Sequence, residues 1–411
     1  MRGYNAYNTT DPAKLLALKK EEAGIILDVV RSIHPTISLT LMIETVATRI
    51  IEQLDVRKLL YLNTENGVLQ IRYQHNFPPV DVKQLEFLTT IRTTQAVNVN
   101  DQPALIELGA EFIIPLGSTA KERPSGWFII ADFAESEEET QNDLIFIEII
   151  GNILTMSIEI SQLFQEKLAQ EVMQQELEVA AKIQKQALPQ YLNLSERLDV
   201  DAVNIAHSKV AGDFYDIIPV NDDEIYFCIA DVSGKGIAAA LLVATLQANL
   251  RAVINTSATF HQIIKQLHNA IARITRSEHY VTLFLSRLNV QSMRMAYVNA
   301  GHNPPYVVRG QRVLELNKGC IPLGILPVES VEIGYEKFTR GDLLFLYTDG
   351  IVEQLNTKEE YMQIDELKEL LVANRFNSSS DITAKVLERV DQHAGEEHPG
   401  DDKSMMVIRF T

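Results

Sequence analysis

The 411-residue chain is poor in cysteine, the residue that makes covalent or metal-linked scaffolds, with two, and it holds one tryptophan and 14 prolines. Cys228 and Cys320 stand far apart in apolar surroundings and form no CxxC pattern, which excludes a disulfide framework and a zinc knuckle and fits buried thiols in a reducing compartment. Positive charge is scarce too, with 37 Lys and Arg against 55 Asp and Glu and a net charge of -18. Such a chain has no broad attraction for phosphate backbones or anionic lipid, so nucleic acid and membrane surfaces are not expected partners. No apolar stretch approaches an uninterrupted span, and the opening MRGYNAYNTT lacks an apolar leader core, so the expected location is the cytoplasm. What the chain does have is core material, 46% hydrophobic residues, enough for two or three domains.

Four regions follow from periodicity. Residues 1–19 form a polar N-terminal segment. Residues 20–160 hold two helical patterns, the second entered through Pro35-Thr36-Ile37-Ser38, and then strand-like runs. Among these, RKLLYLNT and GVLQIRYQHN meet at Glu65-Asn66-Gly67, a hairpin signal, and EFIIPLGS and GWFIIADFA flank a polar loop. From Glu137 a helical pattern runs to Leu188, where Pro189 stops it. Over 161–190 this helix is expected to be a linker: Ile160, Phe164, Leu168, Val172, Leu177, Ala180 and Ile183 draw an irregular apolar stripe that suits an adjustable parallel coiled coil and hence a homodimer. Residues 191–411 alternate six apolar strand runs with the helices AAALLVATLQANLRAVI, HQIIKQLHNAIARI and IDELKELLVAN. The expected class is α+β with largely antiparallel sheets.

In this last region carboxylates gather at strand ends. Asp213 lies in AGDFYD, Asp231 ends FCIAD, Asp349 ends LLFLYTD, and Asp401 and Asp402 precede SMMVIRF. Any one of them is an ordinary turn aspartate. Four converging acidic strand ends with no assigned Arg or Lys would repel, and a hard divalent cation is the usual remedy; oxygen-only donors favour Mg²⁺ or Mn²⁺ over zinc. SGKG lacks the spacing of a phosphate-binding P-loop, so Gly234 and Gly236 are read as permitting a tight turn into the next helix. A phospho-accepting receiver using an Asp pocket is a weaker reading, because the strand order and the glycine loops do not fit an alternating βα pattern.

The motifs AGDFYD, IADVSGKGIAAALL, NAGHNPP, GCIPLGI, LYTDGIVE and GDDKSMMVI, in this order, resemble the SpoIIE/RsbU-like branch of PPM-type metal-dependent Ser/Thr protein phosphatases. Ahead of them EVAAKIQKQALP resembles the helix that joins sensor domains to this module. The resemblance implies an antiparallel β-sandwich flanked by helices and two Mn²⁺ or Mg²⁺ ions, with Asp231 bridging both. Asp213 and the backbone carbonyl of Val232 complete one metal site, and Asp349 with Asp401 the other. It further implies hydrolysis of phosphoserine or phosphothreonine by an activated water. The usual substrate in this family is a phosphorylated anti-sigma-factor antagonist of the STAS fold. The alternative is a pseudophosphatase scaffold that binds a phosphoprotein without turnover.

Several positions stay open under the resemblance. Asp216 either supports the ligands or ends its strand; His302 is either an acid or phosphate contact or a turn histidine. Ser233 stands where better-known members carry an acid histidine, leaving metal-bound water as the default proton donor. Ala211 replaces a glycine beside Gly212, Ser404 replaces a threonine, and the choice of Asp401 over Asp402 as direct ligand rests on the alignment of GDDKS. Residues 20–160 resemble a GAF sensor domain in pattern, with helices on one sheet face and a ligand pocket on the other. No signature assigns a ligand, so two readings stay open: a sensor of an unidentified small-molecule or protein signal, and a ligand-free domain that only dimerises.

Overall fold

The computed structural model describes residues 12–32, 37–54, 56–65, 67–93, 95–99, 102–117, 123–132, 137–189, 195–256, 258–394 and 400–411. The chain divides into two compact units, residues 1–172 and 173–411. Most of the polar N-terminal segment lies outside the described residues, as does the centre of the loop between EFIIPLGS and GWFIIADFA.

The first unit opens with α1 (Pro12–Ser32) and α2 (Leu39–Leu54), whose first turn is capped by the Ser38 hydroxyl accepting from the Leu41 amide. The hairpin β1 (Lys58–Glu65) and β2 (Val68–His75) turns where expected, with Glu65 opposite Val68 and Gly67 at φ 78°. After β3 (Val97–Asn98), α3 (Pro103–Glu107), β4 (Phe112–Leu116) and β5 (Gly126–Ala131) the strands form one antiparallel sheet ordered β2-β1-β5-β4-β3. One face packs on α2 and on the first turns of α4 (Glu137–Ala187) through Val46, Ile50, Tyr61, Phe128 and Ile150. The other face is filled: Leu85 and Leu88 of a short 3-10 helix, with Leu105, cover Leu60, Leu62 and Trp127. The boundary between the units falls within α4, whose 51 residues include most of the expected linker.

The second unit is a four-layer sandwich. Its remaining strands are β6 (Leu198–Ile205), β7 (Asp213–Pro219), β8 (Glu224–Val232), β9 (Val281–Asn289), β10 (Arg294–Ala300), β11 (Tyr306–Arg309), β12 (Arg312–Glu315), β13 (Gly319–Cys320), β14 (Gly334–Lys337), β15 (Leu343–Tyr347) and β16 (Lys403–Phe410). They form a sheet ordered β13-β10-β9-β8-β7, with β14 on β10, and a sheet ordered β12-β11-β15-β16-β6. Phe227, Ile229, Phe284, Leu346 and Met406 fill the space between the sheets. Outside the first sheet lie α5 (Ile237–Ile254) and α6 (Phe260–Thr275); outside the second lie α7 (Ile364–Asn374) and α8 (Ser379–Ala394). The strand β6 and the helix α8 escaped the sequence reading: α8 buries a narrow row, Ile382, Val386 and Val390, that is sparse in apolar residues.

By length and composition alone α5 and the part of α4 from Asp143 contain windows apolar enough to cross a membrane, contrary to the expectation of no such stretch. For α5 the fold supplies another reason, since Leu242, Leu246, Leu250 and Val253 pack against α6 and the first sheet.

Candidate metal centre

Strand parity decides where each carboxylate of β7 points, because alternate side chains leave a strand on opposite faces. Tyr215 and Ile217 enter the core between the sheets, while Phe214 and Ile218 pack beneath α5 and α6. Asp213 shares the first face and Asp216 the second. Asp216, fully buried in mid-strand, receives a two-pronged bond from Arg251 of α5, Nε to Oδ2 at 2.7 Å and Nη2 to Oδ1 at 2.8 Å. Neither expected role holds for it: it does not end the strand, and it faces away from the carboxylate cluster. The cation that compensates it comes from 35 residues along the chain.

Asp213 stands directly opposite Asp231 in the β7–β8 register, and Asp231 in turn opposite Thr282 of β9. From the other sheet Thr348, next after β15, donates its hydroxyl to Asp213 Oδ2 at 2.6 Å. Asn204 of β6 donates its amide to the Asp213 carbonyl at 3.0 Å and to Ser404 Oγ at 2.9 Å. The two sheets are thereby stitched at one end, and Asp349, directly after Thr348, is delivered to the same place. A 3-10 turn over Asp349–Ile351 reverses the chain there. Gly350 is required for close approach, since a Cβ would lie 1.9 Å from the Asp402 carbonyl oxygen.

Asp401 and Asp402 divide their work. Asp402 accepts from the Gly212 amide at 2.5 Å and the His207 amide at 2.7 Å, holding the loop ahead of Asp213 against β16. The Asp401 carboxylate accepts the Asp402 amide through Oδ1 at 2.8 Å and keeps Oδ2 toward the rim, 3.2 Å from Lys235 Nζ. The expectation that no Lys or Arg accompanies the acidic strand ends is therefore corrected at one position, Lys235 beside Asp401.

The electrostatics follow from burial and like charge. Asp213, 3% exposed, has its pKa raised well above the ordinary carboxylate value by burial and then by Asp231. Burial and then Asp349, followed by Asp401, push Asp231 up to about 7. Asp349 is raised by burial and by Glu353, a carboxylate in LYTDGIVE that the sequence reading did not single out. Among the described residues no three His, Cys, Asp or Glu side chains form a ligand group close enough to hold a metal ion by themselves. The donor set nonetheless suits a hard cation that keeps much of its water shell, which needs only one or two carboxylates for each ion. Gly212 packs closely on the end of β8: a Cβ there would lie 3.4 Å from the Val232 carbonyl oxygen and 3.3 Å from the Ala239 methyl.

The remaining candidates hold the scaffold. His302, 5% exposed, has Nδ1 2.8 Å from the Thr282 hydroxyl and Nε2 3.0 Å from the Tyr347 carbonyl, so it ties the ends of β9 and β15 together. Burial holds its pKa down at about 4, and both ring nitrogens are engaged within the scaffold, as for a turn histidine. Ser233 Oγ accepts from the Tyr280 amide at 2.9 Å, and Gly234 turns at φ 96°. Cys320 packs against the core beneath α5 and α6. Gln184, near the end of α4 and within the same compact unit, was missed by sequence reasoning. Its amide donates to the Ala211 carbonyl at 2.8 Å and accepts from the Ala211 amide at 2.9 Å, two residues before Asp213.

Comparison with known proteins finds similarity over the C-terminal unit. Residues 221–411 match the family model described as Stage II sporulation protein E (SpoIIE), which begins just after Asp213. Phosphoserine phosphatase RsbU of Bacillus subtilis (strain 168) is 25% identical over 223 residues, covering 53% of this chain and 65% of the relative. Protein IcfG of Synechocystis sp. (strain ATCC 27184 / PCC 6803 / Kazusa) is 26% identical over 292 residues, covering 64% of this chain and 46% of the relative. The chain thus spans about half to two thirds of the length of these curated relatives. The solved SiaA-PP2C domain of Pseudomonas aeruginosa shares the fold with a TM-score of 0.54 at 19% identity, over 59% of this chain and 99% of that one. Over residues 221–411 the C-terminal unit is thus similar to the SpoIIE family, on a fold shared with a PP2C domain.

Proposed function

We propose that the chain is a signal-regulated protein serine/threonine phosphatase that hydrolyses phosphoserine or phosphothreonine on a protein partner. The observation that carries this reading is the convergence of Asp213, Asp231, Asp349 and Asp401 from two sheets on one end of the sandwich. Asp231 would lie between two Mn²⁺ or Mg²⁺ ions, with Asp213 and the Val232 carbonyl on one and Asp349 and Asp401 on the other. When bound, such ions neutralise phosphoryl oxygens and acidify a water for attack in line with the leaving group. The chain's part is positional. Thr348 and Asn204 fix Asp213, Asp402 fixes the preceding loop, and His302 ties together the strand ends beside Asp231 and Asp349.

The match to a phosphoserine phosphatase supports a phosphoserine substrate, and from the family resemblance we propose a STAS-type anti-sigma-factor antagonist as the protein that carries it. The cytoplasm is the proposed location, with an unidentified small-molecule or protein signal acting on a dimer. The proposed route of control is the end of α4, where Gln184 grips the Ala211 backbone. The test is phosphate release from a phosphoserine peptide by the full chain, with and without Mn²⁺, beside Asp231→Asn. The expected result is metal-dependent turnover that falls at least a hundredfold in the variant, about 3 kcal/mol of barrier. Stoichiometric binding of the phosphopeptide without release would instead establish a scaffold.

A further inference from the structure

Lys235 occupies an unusual place for a cation. It stands in the Ser233-Gly234-Lys235-Gly236 loop between β8 and α5, bounded by glycines at φ 96° and φ 75°. Its ammonium bonds the Gly400 carbonyl at 2.7 Å and lies 3.2 Å from Asp401 Oδ2. Both partners are half-exposed, 55% for the lysine side chain and 45% for the aspartate. Its charge also reaches Asp349, where it opposes the upward pull of burial and Glu353. A lysine is a compact charge on a flexible stem, able to change partners without moving its backbone.

We propose that Lys235 is an internal counter-ion: it holds the Asp401 side of the centre while metal is absent, and passes to the phosphoryl oxygens of the substrate when a divalent cation takes Asp401. The inference rests on the reading of Asp401 as a metal ligand. An ammonium and a divalent cation on the same carboxylate repel, so metal entry displaces the lysine. The displaced ammonium stays tethered beside the carboxylates, and a phosphate dianion is its natural next partner. The same residue therefore weakens metal binding and strengthens substrate binding.

Opposite effects on the two ligands make the inference testable. Mn²⁺ is titrated alone into the full-length wild-type chain, Lys235→Met and Lys235→Arg by calorimetry, and KM is then measured for a phosphoserine peptide at saturating Mn²⁺. Lys235→Met is expected to bind Mn²⁺ about two- to fivefold more tightly, the ratio equivalent to a half-exposed ion pair. Its KM is expected to rise about tenfold, as for loss of a charged contact to phosphate. Lys235→Arg, which keeps the charge, is expected to return both values toward wild type. Weaker or unchanged Mn²⁺ binding in Lys235→Met, or an unchanged KM, would overturn the proposal. A wild-type chain that binds no Mn²⁺ would overturn the two-ion reading itself, a distinguishable result.

Discussion

At the scale of single residues, the centre is a group of acids kept near one another at an electrostatic cost. For Asp231 that cost has a measurable sign. Its pKa rises from 3.8 to about 7 in the metal-free fold, so between those values the folded chain binds more protons than the unfolded chain. Stability is therefore fully present below pH 4 and is lost as pH climbs toward 7, by an amount on the order of 1–4 kcal/mol for this group. Thermal melts of the metal-free chain between pH 5 and pH 7.5 should show the decline, and Asp231→Asn should flatten it and raise the melting temperature at pH 7.5. A variant that melts lower than wild type at pH 7.5 would contradict this account. Saturating Mn²⁺ should reverse the decline in wild type only.

Elements matter through the partners they bring to these residues. The helix α5 meets Asp216 with Arg251, and removing the half-exposed arginine leaves a fully buried carboxylate without compensation. Arg251→Met should cost about 3–5 kcal/mol in denaturant unfolding, and most of it should return in the double variant with Asp216→Asn. Phosphate release per folded molecule should stay near wild type in the double variant, since Asp216 faces away from the centre. The end of α4 has a different task. Beyond the Gln184 pair, Met173, Leu177, Ala180 and Ile183 border a groove of about 400 Å³ against Ile237 and Leu241 of α5. If this helix sets the position of the Asp213 loop, Leu177→Ala with Ile183→Ala should shift the Mn²⁺ concentration for half-maximal phosphate release several-fold, with folding retained. An unaltered metal dependence in that variant would leave the helix a passive spacer.

For the whole molecule, the irregular apolar stripe of α4 carries the prediction. Ile160, Phe164, Leu168, Val172 and Ile183 are exposed within the single chain, and a row of large apolar side chains open to water is the ordinary mark of a paired helix. Light scattering on the full chain should give a mass near twice 46.3 kDa, and Phe164→Glu with Leu168→Glu should return it to one. A monomeric wild-type chain at micromolar concentration would remove the dimer from the proposed control scheme.

How legible was all this in the residues themselves? The ends of the apolar strands, the hairpin turning at Gly67, the helix halted before Pro189 and the four carboxylates could be read directly, because strand alternation, turn chemistry and proline geometry act over a few residues. The opposite facing of Asp213 and Asp216 was also implicit, three positions apart on one strand, once the strand was placed. What no local pattern carried was the identity of partners. Arg251 for Asp216, Thr348 for Asp213, Gln184 for Ala211 and Lys235 for Asp401 are matched only when sheets and helices stack. Local rules set which groups the chain possesses and where each element stops. The stacking of two sheets and two helical layers decided which acids meet a cation, which meet a hydroxyl, and which face one another.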